Sequence, residues 1–90
     1  MDDVDKILEE RGSRYGDFTA QADIAQRFKT TMCQGLSAHK LSPEKVEALE
    51  MIFSKIARIL NGDPNYQDNW DDIAGYAKLV SKTLKPEKNE

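Results

Sequence analysis

The apolar positions of this chain recur at intervals of three and four residues and never alternate over the length of a strand. Val4, Ile7 and Leu8 mark one such repeat, and Ile24, Ala25, Phe28 and Met32 a second. Val46, Leu49, Phe53, Ile56, Ala57 and Leu60 form a third, and Trp70, Ile73, Ala77, Val80 and Leu84 a fourth. The punctuation between them fits helices. The spacing predicts a first helix over Asp3 to Arg11, stopped by Gly12, and then a link, "SRYGDF". Asp17 or Thr19 caps a second helix that ends at Gly35. Ser42, Pro43 and Glu44 start a third, which runs from Pro43 to Leu60 with Gly62 beyond its end. A fourth begins at Asp68 or Asn69 and fades before Pro86. With no Gly-rich phosphate loop, internal repeat or Val/Ile/Thr alternation, the expected fold is all-α: one domain over 1–85, a bundle of four helices, and a disordered tail at 86–90.

Ninety residues give a small core, so self-association is expected to complete it. Thirteen Lys and Arg against sixteen Asp and Glu leave a net charge of −3 and no basic stripe, which argues against a general nucleic-acid ligand. Cys33 and His39 are the only residues of their kinds, so an intramolecular disulfide, a Cys/His zinc site and a Ser-His-Asp triad are excluded. No apolar run approaches a membrane span, and the acidic start MDDVDKILEERG lacks the apolar segment of a signal peptide. The expectation is a soluble cytoplasmic protein.

The carboxylates carry the candidate chemistry. Glu47 and Glu50 are like-charged i, i+3 neighbours beside the apolar stripe of the third helix, in a row continued by Ser54, Arg58 and Asn61. They are either a solvated face or are compensated by a cation or by a basic group such as Arg14, Arg27 or Lys29. In the fourth helix Asp68 and Asp71 read as helix-start acids opposing the macrodipole, whereas Asp72 borders the apolar stripe beside Asn69 and Tyr76 and is the metal candidate. Trp70 reads as core, Lys55 as a surface lysine, Gly75 as a point of close helix approach, and Cys33 as a partly buried small residue. Arg58 divides between phosphate contact and a salt bridge to Asp63, Asp68 or Asp72. Tyr15 either stacks a base or staples two helices.

The blocks "ERGSRYGDF" and "KIARILNGDPNYQDNWDDIAGYAKLV" resemble a group of small phage and prophage proteins without established function, over about Ile7 to Val80. That group is in turn similar to the MazG-like all-α nucleoside triphosphate pyrophosphohydrolases, whose signature is E-x-x-E on one helix and E-x-x-D on the next. Here "EALE" supplies Glu47 and Glu50 and "NWDD" supplies Asn69 and Asp72, with Asn69 departing from the enzyme's glutamate. The resemblance implies a Mg²⁺ site on Glu47, Glu50 and Asp72, which would also be the catalytic carboxylates. Arg14, Tyr15, Arg58, Asn69 and Tyr76 would contact the substrate, a nucleotide or other phosphate-bearing small molecule, in the cytoplasm of a bacterial host. Two other functions stand beside this one: a noncatalytic nucleotide binder and a module that captures a host protein.

Overall fold

A computed structural model describes residues 3–84 of the chain. It comprises four α-helices, α1 (Asp3–Tyr15), α2 (Phe18–Cys33), α3 (Pro43–Asn61) and α4 (Gln67–Ser81), with a single 3-10 turn at Ala38–Lys40 between α2 and α3. Among the described residues there is no strand, so the molecule is the all-α bundle that the periodicity predicts. The expected tail at 86–90 lies outside the described residues.

Helix α3 is the shared partner, packing against both α2 and α4, while α1 lies across the α2–α3 pair. Small side chains allow the close approach: Ala25 of α2 and Ala48 and Ala57 of α3 are buried. The rings of Phe28 and Phe53 stack 5.5 Å apart between α2 and α3. The bundle is long and thin, 56 × 27 × 21 Å with a radius of gyration of 15.8 Å, against about 12 Å for a compact chain of this length. Much of the predicted apolar stripe is therefore only half-buried, and Leu60 is exposed.

Local chemistry explains most boundaries. The Asp17 carboxylate accepts from the Ala20 backbone N–H at 3.0 Å and caps α2. Ser42 precedes α3 as expected and Pro43 opens it, but the Ser42 hydroxyl makes no cap bond and is buried without a partner. Helix α1 passes through Gly12 and ends at Tyr15, three to four residues beyond the expected stop. A mid-helix glycine costs only about 1 kcal/mol, and the true terminator is Gly16, with φ +80°.

What makes Gly16 the stop is the end of α3 and the loop that follows it. The Asn61 carboxamide donates to the backbone oxygens of Tyr15 (3.0 Å) and Asp17 (2.8 Å), and the Asp63 backbone N–H donates to the Arg14 oxygen (2.7 Å). A Cβ on Gly16 would overlap the Asn61 backbone oxygen, and one on Gly62 would overlap the Arg14 oxygen. The blocks "RYG" and "NGD" are thus pressed together backbone to backbone.

Gly16→Ala and Gly62→Ala are expected to destabilise the fold by about 2 kcal/mol or more in urea unfolding, through overlap and, at Gly16, left-handed strain. Gly12→Ala and Gly75→Ala, where a Cβ meets open space, are expected to be neutral or to stabilise by about 0.5–1 kcal/mol.

Candidate functional site

Since "RYG" and "NGD" meet, the side chains they carry gather at one end of the bundle. Tyr15, in the last turn of α1, meets Tyr66 of the α3–α4 loop edge to face at 6.1 Å between ring centroids. The Arg58 guanidinium, one turn before the end of α3, lies 4.4 Å from the Tyr15 ring centroid. Arg11, one turn before Tyr15 on α1, lies 5.3 Å from the same centroid. Arg14 lies 4.3 Å from the Tyr66 centroid and pairs with Glu10 at 3.2 Å.

Beside this stack opens a cleft of about 330 Å³ lined by Leu8, Arg11, Tyr15, Asp17, Gln21 and Arg58 among others. Among the described residues no carboxylate forms an ion pair with Arg11 or Arg58. The Arg58 Nε is buried and has no hydrogen-bond acceptor. A chain with an overall negative charge thus concentrates cationic donors around one tyrosine, where stacking holds the guanidinium planes and leaves N–H groups to be satisfied.

Of the expected substrate contacts, Arg14, Tyr15 and Arg58 come together here. Tyr15 does not offer an open face to a base, because guanidinium groups already lie over it. Arg58 makes none of the salt bridges considered for it. Arg11 and Tyr66 are the members that sequence reading missed. Ending α1 at Arg11 hid the i, i+4 pairing of Arg11 with Tyr15, and nothing local reveals that Tyr66 folds back onto α1.

The carboxylates behave differently. Lys55, read as a surface lysine, is only 8% exposed and pairs with Asp72 at 3.2 Å. This contact sets the antiparallel register of α3 and α4. Glu50 and Glu47 lie about 7.5 Å and about 12 Å from Lys55 along the axis of α3. Glu47 lines a groove with Tyr76, Leu79 and Thr83. Tyr76 therefore sits toward the other end of the α3–α4 pair from the arginine stack.

Asn69, in the position of the enzyme pattern's glutamate, is 1% exposed with its Nδ2 unpartnered. Among the described residues no three His, Cys, Asp or Glu side chains are grouped to hold a metal ion. Asp72 is paired with the Lys55 ammonium, and Asn69 brings no charge.

Other expectations are corrected here as well. Trp70 is 53% exposed, held at the surface by its Nε1 donating to the Pro64 oxygen at 2.8 Å. Helix α4 starts at Gln67, and Asp68 lies in its first turn as the expected helix-start acid, without a side-chain cap bond. Its carboxylate accepts the Tyr66 hydroxyl at 3.0 Å. That hydrogen bond, with desolvation and the Asp68 charge adding to it and Arg14 opposing, holds the Tyr66 phenol above the ordinary value of 10.0. Gly75 faces open space, and Cys33 is exposed.

The sequence matches the family described as "Domain of unknown function (DUF6378)" over residues 1–84. No curated protein and no solved structure matches the chain.

Two outcomes follow. Removing Asp72 strands a buried ammonium, whereas removing Lys55 frees a half-exposed carboxylate. Asp72→Ala should therefore cost about 1 kcal/mol or more and Lys55→Met less, compared by chemical unfolding. The folded state favours the neutral Tyr66 phenol, so this contribution to stability is complete below the ordinary phenol value and is lost as pH rises past the raised one. In Asp68→Ala the phenolate absorbance assigned to Tyr66, by comparison with Tyr66→Phe, should appear at lower pH than in the wild type.

Proposed function

The chain belongs to the DUF6378 family, a domain of unknown function, and from that premise we propose that it is a noncatalytic binding module for a phosphate-bearing small molecule of nucleotide size. The observation that carries this reading is the buried, acceptor-less Nε of Arg58 beside a cleft that Arg11 also lines. Two guanidinium groups steadied on Tyr15 present N–H forks to an incoming anion. Phosphate oxygens are acceptors that match such forks in charge and spacing. The cleft volume lies at the lower end of the range for small-molecule sites. Its apolar edge at Leu8 offers a surface for a flat base.

The kinship with phage proteins and MazG-like hydrolases belongs to this proposal, as does action in the cytoplasm of a bacterial host. In this reading "EALE" and "NWDD" descend from a metal-binding pattern whose chemistry lapsed. Asn69 entered the helix interface, and Asp72 turned to Lys55. What supports it is the placement of those two residues; Glu47 and Glu50 then serve as surface charge.

The test is calorimetric titration with ATP, AMP and inorganic pyrophosphate at low salt, without divalent metal. Arg11 is exposed, so Arg11→Ala should leave the melting temperature nearly unchanged and weaken binding about tenfold, the worth of one charge-assisted contact. Arg58→Ala should weaken it at least as much. Absence of saturable binding, or binding indifferent to both variants, removes the site. Mg²⁺-dependent pyrophosphate release from a nucleoside triphosphate, lost in Glu50→Gln, would replace this reading with the hydrolase.

A further inference from the structure

The cleft beside Tyr15 holds opposite charges that do not pair. Arg11 and Arg58 line it, and so does Asp17, yet among the described residues neither guanidinium forms an ion pair with the Asp17 carboxylate. A cationic part and an anionic part thus stand separately in one space of about 330 Å³. An occupant that satisfies both carries an anion at one end and hydrogen-bond donors at the other.

The anionic part is assembled by the first turn of α2. Asp17 is the N-cap of that helix, and its Oδ2 accepts the Ala20 N–H at 3.0 Å. Its Oδ1 accepts no hydrogen bond from the described residues. Gln21 stands one turn further on, its backbone N–H donating to the Asp17 oxygen at 3.0 Å, so the two side chains are neighbours on one face at i, i+4. Gln21 is half-buried and also lines the cleft, and among the described residues nothing hydrogen-bonds its carboxamide. Phe18, the first residue of α2, lines the same cleft and is 76% exposed, which leaves an aromatic face for a flat ring.

Carboxylate and carboxamide side by side select an edge. An ionised carboxylate only accepts, and after the cap bond Asp17 keeps Oδ1 and the second lone pair of Oδ2, enough for two adjacent donors; the carboxamide adds a donor beside them. The complement of that pattern is two neighbouring donors followed by an acceptor. Guanine presents it as the 2-amino group, N1–H and O6. Hypoxanthine lacks the 2-amino donor, and adenine would set the lone pair of its N1 against the carboxylate.

Resting on the anion-site reading above, we propose that the ligand of this cleft is a guanine nucleotide. Its phosphate meets Arg11 and Arg58, its base lies against Phe18, and its donor edge is held by Asp17 with Gln21 at O6.

The experiment is calorimetric titration of the full chain with GMP, IMP, AMP and inorganic pyrophosphate, without divalent metal, wild type beside Asp17→Asn. Asparagine caps helices as well as aspartate does, so the melting temperature should hold. The wild type should bind GMP about tenfold more tightly than IMP or AMP, the worth of one hydrogen bond to a charged group. In Asp17→Asn that preference should vanish, whereas pyrophosphate should bind no less tightly, because a negative charge has left the cleft. Pyrophosphate binding with equal wild-type affinities for the three nucleotides, or a preference that survives the substitution, overturns the guanine assignment and leaves the anion site standing. Pyrophosphate and GMP weakened alike in Asp17→Asn also overturn it, since Asp17 would then act through the fold. A wild type that binds none of the four removes the anion site and the guanine assignment together.

Discussion

The end of α1 leaves backbone carbonyls that the helix itself cannot satisfy, and the last residue of α3 with the loop after it supplies donors. Asn61 reaches Tyr15 and Asp17 through one carboxamide nitrogen, and the Asp63 N–H takes Arg14. This exchange needs backbone to touch backbone, which two glycines permit. Nearly every other feature at that end follows from it. Once Arg14 and Tyr15 are fixed against the loop, Tyr66 falls against Tyr15, Arg58 against its ring, and the "SRYGDF" link becomes a rigid corner.

The same contact explains why cationic groups accumulate in a chain of negative net charge. Arg11 and Arg14 of α1 lie far in sequence from Arg58 of α3, and each of the three lies over a tyrosine ring. Cation–π stacking tolerates partial desolvation better than an unpaired charge, because the ring quadrupole replaces some of the lost hydration. Glu10 satisfies the Arg14 guanidinium in its plane, whereas the buried Arg58 Nε has no acceptor.

The α3–α4 interface has the opposite character. Lys55 and Asn69 are buried polar groups in a bundle whose buried apolar residues, among those described, are all alanines. The Lys55–Asp72 pair fixes the register of two helices whose apolar stripes alone would tolerate sliding by a turn. Burying the ammonium costs hydration, and the half-exposed carboxylate offsets part of that cost while staying hydrated itself. Asp72, the carboxylate expected as a metal candidate, is the counter-ion of Lys55 in this interface.

The sequence by itself determined the helices, because their periodicity and end signals are local: Asp17, Pro43 and the interruption at "NGDP" carry their own conformational preferences. It did not determine where α1 stops, since Gly12 tolerates a helix and Gly16 terminates one only when Asn61 is opposite. Nor did it show whether Lys55 faces water, because a lysine beside an apolar stripe reads as solvated until an acid from another helix arrives. Arg14, Tyr15 and Arg58 were legible as individual candidates. That they form one cluster with Arg11 and Tyr66, while Glu47, Glu50 and Asp72 form none within the chain, was decided by helix register and the glycine contact. Those are non-local quantities that no window of the sequence contains.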